Sequence, residues 1–227
     1  MQSFDDHIRD MDEASCHNEA DDRTSATKPR RLESLHVFSR DVTLGRARVE
    51  SFIERGYFDR FGSVVADHYP TLLSLENRRG DVLAALGIRN AANERLFLER
   101  YFDEPIELVL SQAIGTGLAR AQILEVGNFA SIGRGASARL IAASATYLKS
   151  CRCRYAVATA TEELRNLLGS FGFAWHRLGT ARAERLSDQG RSWGRYYEQN
   201  PEILVGEILQ APDRMRSYAR AISIEVI

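Results

Sequence analysis

The chain has 227 residues, of which 44% are hydrophobic and 27% are charged, and 30 basic against 31 acidic residues give a formal net charge of −1. This length and apolar fraction are sufficient for a buried core and exclude a wholly disordered chain. The balanced charge disfavours general binding to nucleic acid, which needs clustered positive charge. Cys16, Cys151 and Cys153 are too few for a disulfide framework and lack zinc-ligand spacing, so no metal site is predicted.

The N-terminal region, residues 1–35, is predicted to be a disordered acidic tail. Residues 1–30 contain eight acidic and four basic side chains with few apolar ones. No segment resembles a signal peptide or reaches the roughly 20 apolar residues of a membrane-spanning helix. We therefore expect a cytoplasmic protein without a transmembrane segment, in which residues 36–210 form the folded domain and residues 211–227 a C-terminal tail.

The first part of the domain is predicted to combine a helix with antiparallel strands. Apolar residues recur at helical spacing over residues 46–61. Apolar runs at 71–75 and 82–88 flank the turn sequence 77–80, which predicts a β-hairpin. The run Leu-Phe-Leu-Glu-Arg-Tyr-Phe at 96–102 is a third strand candidate.

The second part is predicted to alternate helices and strands. A helix begins near Pro105 and ends near Gly115, since proline favours the first turn and glycine the C-terminus. The following elements are strands at 122–129, 155–159, 173–178 and 201–206, with helices at 136–149 and from Thr161 as N-cap to Phe171. The fold class is therefore α/β, with a mixed sheet that contains a parallel section.

A glycine-containing loop is the strongest local signal for ligand binding. The strand at 123–129 runs into a loop containing Gly133, Arg134 and Gly135, and a helix opens at Ala136. Glycines allow close approach of the backbone, and a helix N-terminus offers free N–H groups to a pyrophosphate. The alternative is a turn that needs glycine for its geometry alone.

Carboxylates within apolar strands are candidates for acid–base chemistry. Glu125 lies in an apolar strand, where burial would raise its pKa, and strict alternation places Asn128 on the opposite face. Glu99 and Tyr101 share a face of the strand candidate around them. The alternatives are a salt bridge from an arginine to Glu125 and a solvated edge strand around Glu99.

Polar residues after strands and an aromatic cluster are candidates for contact with substrate. The carboxyl ends of strands in open α/β sheets bind ligands, and aromatic side chains line apolar pockets. The alternatives are an exposed position for the arginine at 89, helix capping by Thr161 and core packing of the aromatic residues. The predicted substrate-binding residues are Arg89, Tyr101, Thr159, Thr161, Arg165, Asn166, Trp193, Tyr196 and Tyr197.

Five separate motifs together resemble the bacterial thermostable hemolysin family, in order and spacing, over roughly residues 48–206. They are LFLERYFDEPIE at 96–107, EVGNFA at 125–130, ATAT at 158–161, LRN at 164–166 and WGRYY at 193–197.

This resemblance implies a GNAT-like acyl-CoA N-acyltransferase fold. Members are similar to acyl-homoserine-lactone synthases, whose central strand carries Glu-x-x-Arg; here Glu125 matches and Asn128 stands in place of arginine. The pyrophosphate loop of the GNAT fold reads Arg/Gln-x-x-Gly-x-Gly/Ala. Gly133 and Gly135 match this loop, and Ala130 stands at its first position.

The resemblance and the residues together predict an acyltransferase that moves an acyl group to a small amine. Acyl-CoA or an acyl-carrier protein would be the donor, with no tightly bound cofactor. The loop from Gly133 to Ala136 would hold the donor phosphate, and Glu125 or Glu99 would act as the base. Asn128 is a third candidate catalytic residue. Backbone amides of the splayed strands would bind the carbonyl oxygen.

Two other classes of function stay open at this point. A cytolysin would carry a long amphipathic or apolar insertion segment, which is not obvious in the sequence. A GNAT-shaped module that binds a thioester without turning it over is the other alternative.

Overall fold

A computed structural model of the chain describes residues 33–208, 212, 215–219 and 222–227. Nearly all of the predicted tail at 1–35 lies outside these residues. Its last three positions are described, and they begin the first strand of the sheet. The folded region therefore begins upstream of the predicted boundary.

Within the described residues, eight strands form one mixed sheet. Their order is β6-β7-β5-β4-β3-β2-β1-β8. The pairs β4–β5 and β1–β8 are parallel and the other neighbours are antiparallel, which confirms the predicted mixed α/β class. The strands are β1 (Glu33–Phe38), β2 (Thr71–Asn77), β3 (Val82–Asn90), β4 (Ile123–Ser131), β5 (Tyr155–Ala160), β6 (Trp175–Thr180), β7 (Glu202–Glu207) and β8 (Ile222–Val226).

Helices cover both faces of this sheet, because alternate side chains of the central strands are apolar on each side. Leu72 and Ala85 pack with the first helix, whereas Leu73 and Leu86 pack with the third. We call these sides the α1 face and the α3 face. No helix in the described part of the chain is long and apolar enough to cross a membrane. The helices are α1 (Arg46–Phe61), α2 (Ile106–Ile114), α3 (Arg134–Leu148), α4 (Glu162–Ser170) and α5 (Arg216–Ala219).

The prediction of a strand at 96–102 is wrong, since the segment Phe97–Tyr101 is a 3₁₀ turn. Its backbone N–H groups are taken by carboxylates rather than by a neighbouring strand. Glu99 accepts from the N–H of Leu96 at 2.7 Å, and Glu125 accepts from the N–H groups of Phe97 and Leu98 at 2.7 and 3.0 Å. The apolar residues of the run still enter the core, as the sequence pattern indicates, but in a helical turn.

The C-terminal residues predicted as a tail at 211–227 include a strand. β8 pairs in parallel with β1, Leu35 lying opposite Ile224, and the hydroxyls of Ser34 and Ser223 lie 2.9 Å apart. Ile222 is buried in the core on the α3 face. The strand forms because it buries this side chain and pairs the free edge of β1.

Candidate active site

The two central parallel strands separate near their carboxyl ends. The ladder between β4 and β5 ends at the pair Val126–Ala158, although β4 continues to Ser131 and β5 to Ala160. Backbone groups of β4 beyond Val126 therefore have no ladder partner in β5. The strand pair opens there into a gap, as the sequence analysis expected.

A cavity of about 590 Å³ passes through this gap. Its lining comes from both faces of the sheet, with Tyr57 and Phe61 of α1 on one side and Ile141 and Leu148 of α3 on the other. The part on the α3 face is mainly apolar and extends between α3, α4 and β6. The cavity therefore joins two compartments through the sheet.

The N-terminus of α3 lies at the edge of the cavity. Gly133 and Arg134 line it, and α3 begins at Arg134, two residues earlier than predicted. The Arg134 side chain is exposed and has no ion pair within the described residues. Gly135 and Ala136 do not border the cavity, since Gly135 lies against Arg139 and Ala136 is buried in the core. Of the four residues predicted to hold phosphate, Gly133 and Arg134 therefore border the cavity.

A β-bulge in β4 changes the direction of the side chains beyond Val126. The β3–β4 register shifts where Ala85 pairs with Ala130 and Gly87 pairs with Gly127, and Asn128 has a φ of 48°. One extra residue on one strand reverses the alternation after it. The prediction that Asn128 faces away from Glu125 is therefore wrong.

Glu125 is buried on the α1 face and is 1% exposed. Besides the two backbone N–H groups of the 3₁₀ turn, its carboxylate accepts a hydrogen bond from the hydroxyl of Tyr69. Burial raises the pKa of Glu125 to about 7, although these hydrogen bonds and the charge of Arg89 act in the opposite direction. A carboxyl that titrates near neutral pH is suited to accept and release protons.

Tyr69 is a site residue that the sequence analysis missed. Its ring lies over Gly87 and Gly127, where an added Cβ atom would be 2.6 and 2.5 Å from its nearest atom. The Arg89 guanidinium stacks 4.4 Å from the ring centroid. The side-chain oxygen of Asn128 accepts from the N–H of Tyr69 at 2.9 Å. The two glycines, which face each other across β3 and β4, are the only sequence signal for this contact.

Glu99 is a structural residue in this geometry, in contrast to its predicted role as a base. Arg120 donates to its carboxylate at 2.7 Å, and the N–H of Ile106 donates at 3.0 Å. Burial acts to raise its pKa, but the hydrogen bonds from Arg120 and from the backbone outweigh burial and lower the pKa below its usual value. A carboxylate held in its charged form by an arginine is a weak base.

Four predicted substrate-binding residues line the cavity: Thr159, Thr161, Asn166 and Tyr196. The hydroxyl of Thr159 is buried and has no hydrogen-bond partner within the described residues. The hydroxyl of Thr161 accepts from the N–H of Leu164 at the start of α4. Helix capping therefore holds for Thr161, as the alternative stated, and Thr159 is the free hydroxyl of the pair.

The other predicted substrate-binding residues do not border the cavity. Arg165 donates to the carbonyl of Ala160 at 3.0 Å, and Arg89 pairs with Asp67 at 2.9 Å. The hydroxyls of Tyr101 and Tyr197 lie 2.6 Å apart. Trp193 packs against Phe97, Tyr57, Tyr196 and Tyr197. These aromatic residues therefore form a core cluster on the α1 face beside the cavity.

Within the residues that the structure describes, no cluster of three histidine, cysteine or acidic side chains is arranged to hold a metal ion. The polar groups that line the cavity are hydroxyls, the side-chain amides of Asn166 and Gln199, the indole of Trp175 and charged side chains, namely those of Arg60, Arg134, Glu162, Glu163 and Glu207.

Comparison with protein families gives one match. The family model described as "Thermostable hemolysin" matches residues 40–212. No curated protein matches the chain in sequence.

Solved structures share the fold at low sequence identity. TofI in an apo form is 13% identical, with a TM-score of 0.57 over 81% of this chain and 95% of that chain. BjaI, a CoA-dependent acyl-homoserine lactone synthase with SAM and isopentyl-CoA, is 15% identical, with a TM-score of 0.56 over 86% and 93%. FeeM, an N-acyl amino acid synthase from uncultured soil microbes, is 15% identical, with a TM-score of 0.54 over 82% and 95%. These likenesses confirm the predicted fold.

Proposed function

We propose, from the premise that this chain belongs to the thermostable hemolysin family, that it is an acyltransferase moving an acyl group from a thioester to a small amine. The observation that carries the proposal is the cavity of about 590 Å³ that passes through the gap between β4 and β5 beside the N-terminus of α3. Structures with this fold include an acyl-homoserine lactone synthase and an N-acyl amino acid synthase.

The donor is a thioester of coenzyme A or of a carrier protein, which share the phosphopantetheine arm. Its phosphate would lie at the free N–H groups of α3 beside Arg134, where the helix dipole and the arginine both favour negative charge. The acyl chain would occupy the apolar compartment on the α3 face, among side chains such as Ile141 and Leu148. Exclusion of water from that compartment supplies binding energy for an alkyl chain.

The reaction takes place where the strands separate. The amine nitrogen attacks the thioester carbonyl carbon, a C–N bond forms, and the C–S bond then breaks to release the thiol. Backbone N–H groups of β4 beyond Val126 stabilise the negative charge on the carbonyl oxygen. Glu125 receives the proton that the amine loses and returns one to the departing thiolate.

The direct test is transfer by the purified full chain. Octanoyl-CoA and octanoyl-carrier protein are supplied in separate reactions with a panel of small amines that includes amino acids, S-adenosylmethionine and polyamines. Release of free thiol and the mass of the N-octanoyl product are both recorded. Product in either arm supports the proposal, and the faster arm identifies the donor.

Two controls give the negative result its meaning. Arg185→Ala removes an exposed arginine that pairs with Asp103 away from the cavity and is expected to leave transfer unchanged. A thermal-shift titration with octanoyl-CoA reports binding independently of the amine. Binding without transfer to any amine would favour the non-catalytic thioester-binding module. The absence of both binding and transfer would overturn the proposed function.

A further inference from the structure

Glu125 is separated from the cavity that would hold its substrate. The side chain is 1% exposed and is absent from the cavity lining. The N–H groups of Phe97 and Leu98 occupy its carboxylate on one side. Its remaining hydrogen-bond partner is the hydroxyl of Tyr69. A proton that reaches Glu125 from the cavity by hydrogen bonds therefore has Tyr69 on its path.

Tyr69 is itself absent from the cavity lining, but its hydroxyl is held against Gly127, a residue that lines the cavity. Gly127 borders the cavity, and a Cβ atom placed on it would be 2.5 Å from the Tyr69 oxygen. The absence of a side chain at Gly127 thus leaves room for the phenol between the splayed strand and Glu125. Asn128 at the bulge fixes the backbone of Tyr69, and the Arg89 guanidinium covers its ring.

We propose that Tyr69 carries the proton from the acceptor amine to Glu125, an inference that rests on the acyl-transfer function above. The acceptor binds as an ammonium ion beside Gly127. It donates one proton to the Tyr69 oxygen while Tyr69 passes its own phenolic proton to the Glu125 carboxylate. The amine becomes neutral, Tyr69 is unchanged overall, and Glu125 becomes a carboxylic acid. No other reactant is consumed.

Other groups facing Glu125 do not supply a second path. Arg89 of β3 acts on its charge, and Tyr101 of the 3₁₀ turn lies within its electrostatic reach. The Tyr101 hydroxyl is paired with that of Tyr197, and Arg89 is held by Asp67. Tyr57 of α1 borders the cavity and interacts with Tyr69, but its hydroxyl is engaged by the backbone of Phe129.

The test is Tyr69→Phe, which keeps the ring over the glycines and removes the hydroxyl. With octanoyl-CoA and the amine that gives the fastest wild-type transfer, kcat/KM is expected to fall by about tenfold or more. The acidic limb of its pH profile is expected to move to higher pH, because the carboxylate loses a hydrogen bond that favours its charged form. Tyr147→Phe, a substitution of a half-buried tyrosine outside the cavity lining, is the matched control.

A second measurement follows Glu125 itself. Infrared titration of the full chain detects the protonated carboxyl, and its band is assigned by its loss in Glu125→Gln. In Tyr69→Phe the midpoint of this band is expected at higher pH than in the wild type. A merely structural role would change the melting temperature and leave this midpoint in place.

The outcomes separate the two proposals. Wild-type transfer together with a Tyr69→Phe rate within about twofold and an unmoved pH profile would overturn the relay alone. An unmoved infrared midpoint would overturn the hydrogen bond on which the relay depends. Absence of transfer by the wild-type chain with every donor and amine would overturn the acyltransferase and the relay together.

Discussion

Glu99 and Glu125 are buried on the same side of the sheet and accept hydrogen bonds from the same stretch of backbone, yet their pKa values are shifted in opposite directions. Glu99 is 4% exposed and lies against Arg120, whereas Glu125 is 1% exposed and forms no ion pair within the described residues. The pKa of Glu99 is lowered and that of Glu125 is raised to about 7. Burial alone therefore does not distinguish a structural carboxylate from a candidate base; the position of a full positive charge does.

The largest expected effect that tests this comparison is loss of transfer in Glu125→Gln. We expect kcat/KM to fall by about 100-fold or more, because the amide does not accept the proton of the amine. Folding should be retained, since the substitution keeps the shape and one acceptor oxygen. Activity in the transfer assay is measured together with the melting temperature. Full turnover by a folded variant would remove Glu125 from the mechanism.

The opposite pKa shifts predict opposite dependences of stability on pH. The folded state binds the Glu125 proton more tightly than the unfolded chain, so this group costs stability as pH rises from about 4.5 to about 7. The cost at and above neutral pH is at most about 3 kcal/mol. Glu99 contributes stability above its unfolded pKa and loses it as pH falls through its lowered folded value.

Urea unfolding at several pH values measures both contributions. Relative to Glu125→Gln, the wild type should lose stability as pH rises between about 4.5 and 7. The wild type should have a higher free energy of unfolding than Glu99→Gln at neutral pH, and this difference should shrink only as the pH falls. If the difference in unfolding free energy between wild type and variant depended on pH in the same way for Glu125→Gln and Glu99→Gln, the comparison would be contradicted.

At neutral pH, Glu99→Gln is expected to lower the free energy of unfolding by about 2 kcal/mol. The variant leaves the half-buried guanidinium of Arg120 with Glu107 as its ionic partner. Transfer activity per folded molecule should stay near that of the wild type, because Arg120 holds the Glu99 carboxylate in its charged form and makes it a weak base. A loss of activity as large as that of Glu125→Gln, in a folded variant, would show that both carboxylates take part.

The smallest expected effect concerns Arg134, an arginine without the carboxylate partner that Arg120 has. Arg134→Ala should weaken binding of octanoyl-CoA by about fivefold to tenfold, equivalent to about 1 kcal/mol, because one charged contact with phosphate is lost. The thermal-shift titration measures this change. Equal weakening in Arg185→Ala would indicate a general effect of positive charge rather than a phosphate site.

Periodicity and turn residues predicted most of the fold. The hairpin, α1, the strands of the parallel section and their helices follow from local patterns at 2.0 or 3.6 residues. β1 and β8 are short strands joined by pairing across the length of the chain, and no local pattern indicates such a pairing. The segment Phe97–Tyr101 resembles a strand in composition, but Glu99 and Glu125 capture its N–H groups and turn it into a 3₁₀ helix.

The site was predictable where a single residue reveals its own environment. Glu125 in an apolar strand and Gly133 before a helix are signals of this kind. Asn128 and Tyr69 are not, because the bulge that redirects Asn128 depends on the register of two strands, and Tyr69 lies over glycines far from it in sequence. Contacts that depend on strand register can be identified only when the pairing of the strands is known.

The β1–β8 pairing affects how the chain folds while it is being synthesised on the ribosome. Ser34 and Ser223, which are in hydrogen-bond contact, are 189 positions apart, so β1 is synthesised well before its parallel neighbour. Until then, β1 pairs only with β2 and presents an open edge, which is a site for pairing with other chains. A nascent or truncated chain without residues 222–227 would therefore be prone to aggregation and dependent on chaperones, even though the cavity is built from residues already synthesised.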